Sequence, residues 1–139
     1  MADGIEARVS ESGESPFAVR IAVCGHELVG DEPTADGGAD LGPSPYQLLT
    51  SALGECTVMT VRWFARQKDW PVEHVAAHVT HTKMEVEGRP GQTDVFHKTV
   101  FIKGDTLTPE QRTRLIDVAA KCPVQRTLES GSVIETHAG

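Results

Sequence analysis

Two thiols are the side chains best placed to do chemistry in this chain, Cys56 and Cys122. Cys122 precedes Pro123, which puts it at the N-cap of the following helical turn. Free N–H groups and the positive end of the helix dipole favour a thiolate there. Cys56 falls inside an apolar helical face, where desolvation raises a thiol pKa unless a cation is near. Composition alone leaves a bland reading open for both, because a buried cysteine usually behaves as a small hydrophobe. Cys24, at the end of a strand, carries only that reading.

Other chemistries fare worse. Among the six histidines, His74 and His78 share one strand face but stand about 13 Å apart at the usual rise, too far for one ion. His81 lies on the opposite face of that strand, and His97 on its hairpin partner, so solvated strand positions are expected and no metal site. No Gly-x-Ser-x-Gly elbow is present, and no Lys-Ser/Thr follows Gly37-Gly38.

The elements that must carry the cysteines follow from patterning and punctuation. Residues 5–11, 17–23 and 26–29 read as three strands, the second alternating Phe17, Val19, Ile21 and Val23 with smaller or polar residues. Residues 30–42, with Pro33 and Gly37-Gly38, read as a loop. Ser44-Pro45-Tyr46-Gln47 supplies an N-cap, Pro at N1 and Gln at N3 for a helix to Lys68. Its predicted face is Leu49, Leu53, Cys56, Thr60 and Trp63 or Phe64. Residues 72–87 and 94–103 read as a hairpin around Gly88-Arg89-Pro90-Gly91. Thr108-Pro109-Glu110-Gln111 repeats the cap design, and Leu115, Ile116, Ala119 and Cys122 form the predicted buried face of that helix. A short helix follows Pro123 to about Leu128, and Ser132–Thr136 reads as a last strand. The predicted order is β-β-β-α-β-β-α-α-β, an α+β fold with antiparallel sheets, as a single domain over residues 1–139.

The chain has 139 residues and a net charge of −7, with no Lys/Arg run longer than a doublet. That argues against nucleic acid or an anionic membrane surface as partners. No apolar run approaches ~18 residues, and the start Met-Ala-Asp-Gly-Ile-Glu lacks the pattern of a signal peptide. A cytoplasmic location is expected.

Two segments carry a resemblance. Gly42-Pro43-Ser44-Pro45-Tyr46-Gln47-Leu48-Leu49-Thr50-Ser51-Ala52-Leu53-Gly54-Glu55-Cys56-Thr57 is similar to the first cysteine motif of the OsmC/Ohr family. Lys121-Cys122-Pro123-Val124-Gln125-Arg126-Thr127-Leu128 is similar to its second. The resemblance spans about residues 5–137 and implies an intertwined α+β homodimer with a long central helix and active sites at the interface. It implies a thiol peroxidase for small organic hydroperoxides: Cys56 as peroxidatic nucleophile, Cys122 resolving its sulfenic acid as a disulfide, an external dithiol as reductant, and no cofactor.

The match departs from the peroxidase pattern at one point. Those members hold an Arg beside the reactive thiol with a Glu; Tyr46 stands at the Glu position, and residues 21–61 contain no Arg. Within the family the chain is therefore closer to an OsmC-like branch, and Arg126 is the substitute considered for thiolate activation, with Tyr46 in the pocket. The alternative implied is a non-catalytic dimeric stress protein, or one that binds a small hydrophobic ligand in the same fold. A third is a thiol reaction with a different electrophile.

Overall fold

Alternation of apolar and polar residues builds the first sheet. β1 (Ala7–Glu11), β2 (Val19–Val23) and β3 (His26–Gly30) pair antiparallel in the order β1-β2-β3, with Ala7 opposite Val23 and Val23 opposite His26. Cys24 and Gly25 form the two-residue turn between β2 and β3, with φ of 48° and 84°. Positive φ at both central positions matches the twist of the flanking strands. The structure, a computed structural model, describes residues 4–139. The chain divides into two units, residues 1–49 and 50–139.

In the first unit the loop after β3 is held by one carboxylate. Asp31 is buried and accepts hydrogen bonds from the Ser15 hydroxyl (2.9 Å) and from the amides of Glu32 (2.8 Å), Ala39 (3.1 Å) and Leu41 (3.3 Å). Burial pushes its pKa up, but the hydroxyl and the three amides outweigh burial and hold it below the ordinary carboxylate value. A depressed folded-state pKa stabilises the fold above the unfolded value, about 3.9. That contribution is lost as pH falls through the lower, folded value. Asp31→Ala is expected to raise amide hydrogen exchange across residues 32–41 at neutral pH while leaving the β1–β3 amides protected. Equal protection of the loop in both proteins would contradict this.

α1 (Pro45–Lys68) begins in the first unit and runs through the second. Ser44 and Gln47 exchange hydrogen bonds at its start, the amide of Gln47 to Ser44 Oγ and the amide of Ser44 to Gln47 Oε1. This is the capping box expected from the sequence. Asp69, at φ 53°, ends the helix in the left-handed region.

The buried face of α1 differs from the predicted one. It is Leu53, Thr57, Val61 and Ala65, spaced by four throughout. Trp63 is 62% exposed, and Cys56 lies at the border of the buried face, half-buried. The predicted stripe placed Thr60 and Cys56 where Thr57 sits. Hydropathy disfavours a threonine there, yet Thr57 is fully buried with its hydroxyl donating to the Leu53 carbonyl at 2.7 Å.

β4 (His74–Glu85) and β5 (Gln92–Lys103) form an unbulged antiparallel hairpin, His74 opposite Lys103 and Glu85 opposite Gln92. Val75 is buried, and Ala77 and Val79 alternate with exposed His74 and His78. A Cβ on Gly54 would lie 3.3 Å from Val79 Cγ2, so the glycine sets how closely α1 approaches β4.

α2 (Pro109–Ala119) opens with a complete capping box from Thr108 and Gln111, and α3 (Pro123–Ser130) follows at once. The α2 side chains facing inward are Leu115, Val118 and Ala119. Ile116 is 47% exposed, contrary to expectation, because Val118 rather than Ile116 completes the inward arc. Val61, Ala65, Val72, Val75, Leu107, Leu115 and Ala119 close one core in this unit.

The α+β class with antiparallel sheets stands. The last predicted strand does not form: residues 131–139 have no regular secondary structure, and Val133 and Ile134 are almost fully exposed. An alternating segment becomes a strand only where a sheet edge takes its backbone donors and acceptors, and among the described residues none pairs with it. Among the described residues, no helix is long and apolar enough to cross a membrane.

Candidate thiol site

The two cysteines come together from α1 and from the α2–α3 junction. Cys56 Sγ accepts the backbone N–H of Val124 at 3.4 Å. Val124 is the second residue of α3, so its amide is one of the orphan donors of the helix start. The sulfur therefore lies against the positive end of α3. A weaker contact, 4.0 Å, links it to Thr60 Oγ1 one turn along α1.

Cys122 is fully buried at the N-cap position of α3, with the extended backbone a cap requires (φ −67°, ψ 147°). This is the placement expected from Pro123. Its sulfur lies 3.6 Å from Thr57 Oγ1. Burial pushes the Cys122 thiol up, yet the balance falls below its ordinary value. The Gln125 backbone N–H, the Thr57 hydroxyl, the Cys56 thiol and the Lys98 charge together outweigh desolvation. Cys56 and Cys122 thus both border the start of α3, and both are free thiols.

Lys98 is the residue the sequence reading missed. Its ammonium donates to Thr57 Oγ1 at 2.9 Å and to the Ala119 carbonyl at 2.8 Å. Val79 is its cross-strand partner, so it stands on the helix-facing side of β5 with Phe96, Val100 and Ile102. The signal was available: a lone lysine interrupts an otherwise apolar row at period two.

The two other proposed site residues are placed differently. Arg126 lies exposed on α3, and among the described residues its guanidinium makes no hydrogen bond or ion pair with the protein. Tyr46 is half-exposed in the first turn of α1, within the first unit. Cys24 is exposed in its hairpin turn in the first unit, whereas Cys56 and Cys122 belong to the second.

Further along the hairpin, His81, Lys83 and Asp94 form a cluster. Nε2 of His81 lies 2.8 Å from Asp94 Oδ1, Lys83 Nζ lies 2.9 Å from the same oxygen, and the imidazole packs on Phe96. Those hydrogen bonds hold the Asp94 carboxyl below its usual range, Lys83 first and His81 second.

What this arrangement can do is thiol–disulfide chemistry. One sulfur is partly accessible at a helix N-terminus; the other is enclosed beside it, with an ammonium one hydroxyl away. Comparison with known proteins identifies the family. The model of the OsmC-like protein family matches residues 37–137, which include both cysteine motifs. Among solved structures, the fold is shared with an organic hydroperoxide resistance protein OsmC from Legionella pneumophila (17% identity, 92% of this chain and 90% of that one, TM-score 0.68). An OsmC-like protein from Mycoplasma pneumoniae is similar at 19% identity, covering 93% and 89%, with TM-score 0.69. The organic hydroperoxide resistance protein OhrB of Bacillus subtilis is similar at 18% identity, covering 90% of each chain, with TM-score 0.58. Among curated protein sequences none matches. With a family match running through most of the chain and through both thiols, the protein belongs to the OsmC-like family.

Proposed function

We propose that this chain is a cysteine-based peroxidase of organic hydroperoxides. The observation that carries the reading is the pairing of a partly accessible sulfur, Cys56, with an enclosed thiol of depressed pKa, Cys122, across the start of α3. The thiolate of Cys56 attacks the terminal oxygen of the hydroperoxide, and the O–O bond breaks. The sulfur becomes a sulfenic acid, and the alkoxide leaves and takes up a proton as an alcohol. Cys122 then displaces the sulfenic hydroxyl as water, giving a disulfide that an external dithiol reduces. The positive end of α3 favours negative charge on Cys56 during the attack. No cofactor enters these steps.

The family match supports treating residues 1–139 as one functional domain, since it begins inside the first unit and crosses into the second. The exposed Met59 and Trp63 on α1, with Val133 and Ile134 in the C-terminal segment, support a homodimer with its sites at the interface. A cytoplasmic setting suits a pair of thiols kept reduced by a dithiol.

Reduced protein mixed with cumene hydroperoxide and dithiothreitol is expected to consume the peroxide catalytically. Absence of turnover above the dithiothreitol background would overturn the reading. The second reading, a dimeric stress protein that binds a small hydrophobic ligand, is favoured by a shallow groove of about 490 Å³ lined by Val58, Met59 and Trp63 with Arg62 and Arg66. It predicts instead saturable binding of an apolar dye by a variant lacking both Cys56 and Cys122, with no turnover by the parent.

A further inference from the structure

Lys98 is a half-buried cation without an anion. Among the described residues its ammonium has no carboxylate partner; the ion pairs involve Glu6, Glu14, Asp94 and Glu135 with other groups. It is held by one hydroxyl and one carbonyl, Thr57 and Ala119. The Ala119 carbonyl lies in the last turn of α2, where helix carbonyls carry partial negative charge. A partial charge is incomplete compensation for an ammonium drawn out of water. A group able to supply a full negative charge shares Thr57 with it: Cys122 Sγ lies 3.6 Å from the hydroxyl oxygen that Lys98 holds.

Thr57 has one proton and two acceptors facing it, the Leu53 carbonyl at 2.7 Å and Cys122 Sγ at 3.6 Å. Lys98 donates to the same oxygen and so polarises that O–H. When Cys122 ionises, a rotation about the Cβ–Oγ bond turns the proton towards the sulfur. Every element around Cys122 agrees with a charge there. α1 brings Thr57 and Cys56, and Glu55 is exposed. α2 brings the Ala119 carbonyl, already occupied by Lys98, and α3 brings the amide of Gln125. On the hairpin, His81 and Lys83 are engaged with Asp94.

We propose that Lys98, acting through Thr57, is a positioning residue that readies the Cys122 sulfur for attack, and thereby sets the rate at which the oxidised Cys56 is resolved. The inference rests on the peroxidase reading. Disulfide closure needs the attacking sulfur as a thiolate. The lone pair of Cys122 attacks the Cys56 sulfur, the S–O bond breaks, and the hydroxide takes a proton to become water. A sulfenic acid that waits is open to a second hydroperoxide, which carries it to sulfinic acid and ends the cycle. A pre-ionised, enclosed Cys122 shortens that wait.

The test has two arms, both on the full chain with Cys24→Ser. With Cys56→Ser added, absorbance at 240 nm follows ionisation of Cys122 alone. Lysine at 98 is expected to give a midpoint below the unperturbed ~8.5. Lys98→Met should move it upward, cutting the thiolate fraction at neutral pH about tenfold per unit, and Lys98→Arg should restore part of the shift. With Cys56 present, excess cumene hydroperoxide followed by mass spectrometry should find the disulfide in the parent and sulfinic acid at Cys56 in Lys98→Met. An unchanged midpoint in a folded Lys98→Met protein overturns the proposal, as does equal sulfinic acid in both. If Lys98→Met does not fold, Thr57→Val, which removes the hydroxyl at nearly constant volume, is expected to give the same upward midpoint, and no shift there overturns the link. A shifted midpoint in a protein that never reacts with hydroperoxide would overturn the peroxidase reading and leave the ionising role of Lys98 in place.

Discussion

Cys56→Ser is expected to lower dithiol-supported hydroperoxide consumption to background, a loss on the order of 10³-fold or more, as removal of a nucleophile typically gives. Cys122→Ser is expected to behave differently. It should still consume close to one equivalent of hydroperoxide in the absence of dithiol, because Cys56 keeps the amide of Val124 and its place at the start of α3. Turnover should then fail progressively as Cys56 passes to sulfinic acid, which dithiothreitol does not reduce. The pair of variants separates attack from resolution, which a single inactive mutant cannot do. Stopped-flow loss of hydroperoxide and intact mass together read both steps. If instead Cys122→Ser lost the first equivalent and Cys56→Ser kept it, the assignment of roles would be reversed. The burial of Cys122 makes that reversal costly: its side chain is fully enclosed, closed to a bulky hydroperoxide.

The elements were legible where local chemistry decides them. Ser44 with Gln47, and Thr108 with Gln111, both read as capping boxes in the sequence and both form. The turn residues around Gly88 and Gly91 announced the hairpin, whose strands pair without a bulge from His74 opposite Lys103 to Glu85 opposite Gln92. Cys122 at a helix start followed from Pro123 alone. What was not legible depends on groups that meet through space. Thr57 was not on the predicted face, and its burial depends on the Leu53 carbonyl and the Lys98 ammonium, which satisfy its hydroxyl. The resemblance implied an arginine as the activating cation, with Arg126 as a substitute. The cation adjoining the thiols came from the middle of β5, on another element. The last strand failed for a related reason. Val133 and Ile134 have the pattern of a strand, but pairing requires an edge, and pattern alone does not say whose edge that is.

The largest effect on stability is expected from Leu115→Ala. Leu115 is wholly buried and packs in the cluster of Val61, Ala65, Val72, Val75, Leu107 and Ala119. Truncating a leucine in such a place costs about 3 kcal/mol, within a range of about 2–5 set by how far the cavity collapses. Against the ~5–15 kcal/mol that holds a domain of ordinary size together, that is a drop in melting temperature of roughly 10 °C. The denaturant midpoint should fall with little change in slope, since the unfolded surface is nearly the same. Ile116→Ala, one residue along and 47% exposed, should cost under about 1 kcal/mol in the same experiment. The contrast matters for the thiol site because Ala119, one turn beyond Leu115 on α2, supplies the carbonyl that holds Lys98. Loosening the core beneath that turn loosens one of the two anchors of the ammonium. Leu115→Ala should therefore raise the ionisation midpoint of Cys122 as well as lower stability, whereas Ile116→Ala should leave that midpoint in place. A stable, unshifted Leu115→Ala protein would show that neither the core nor the lysine anchor depends on this side chain.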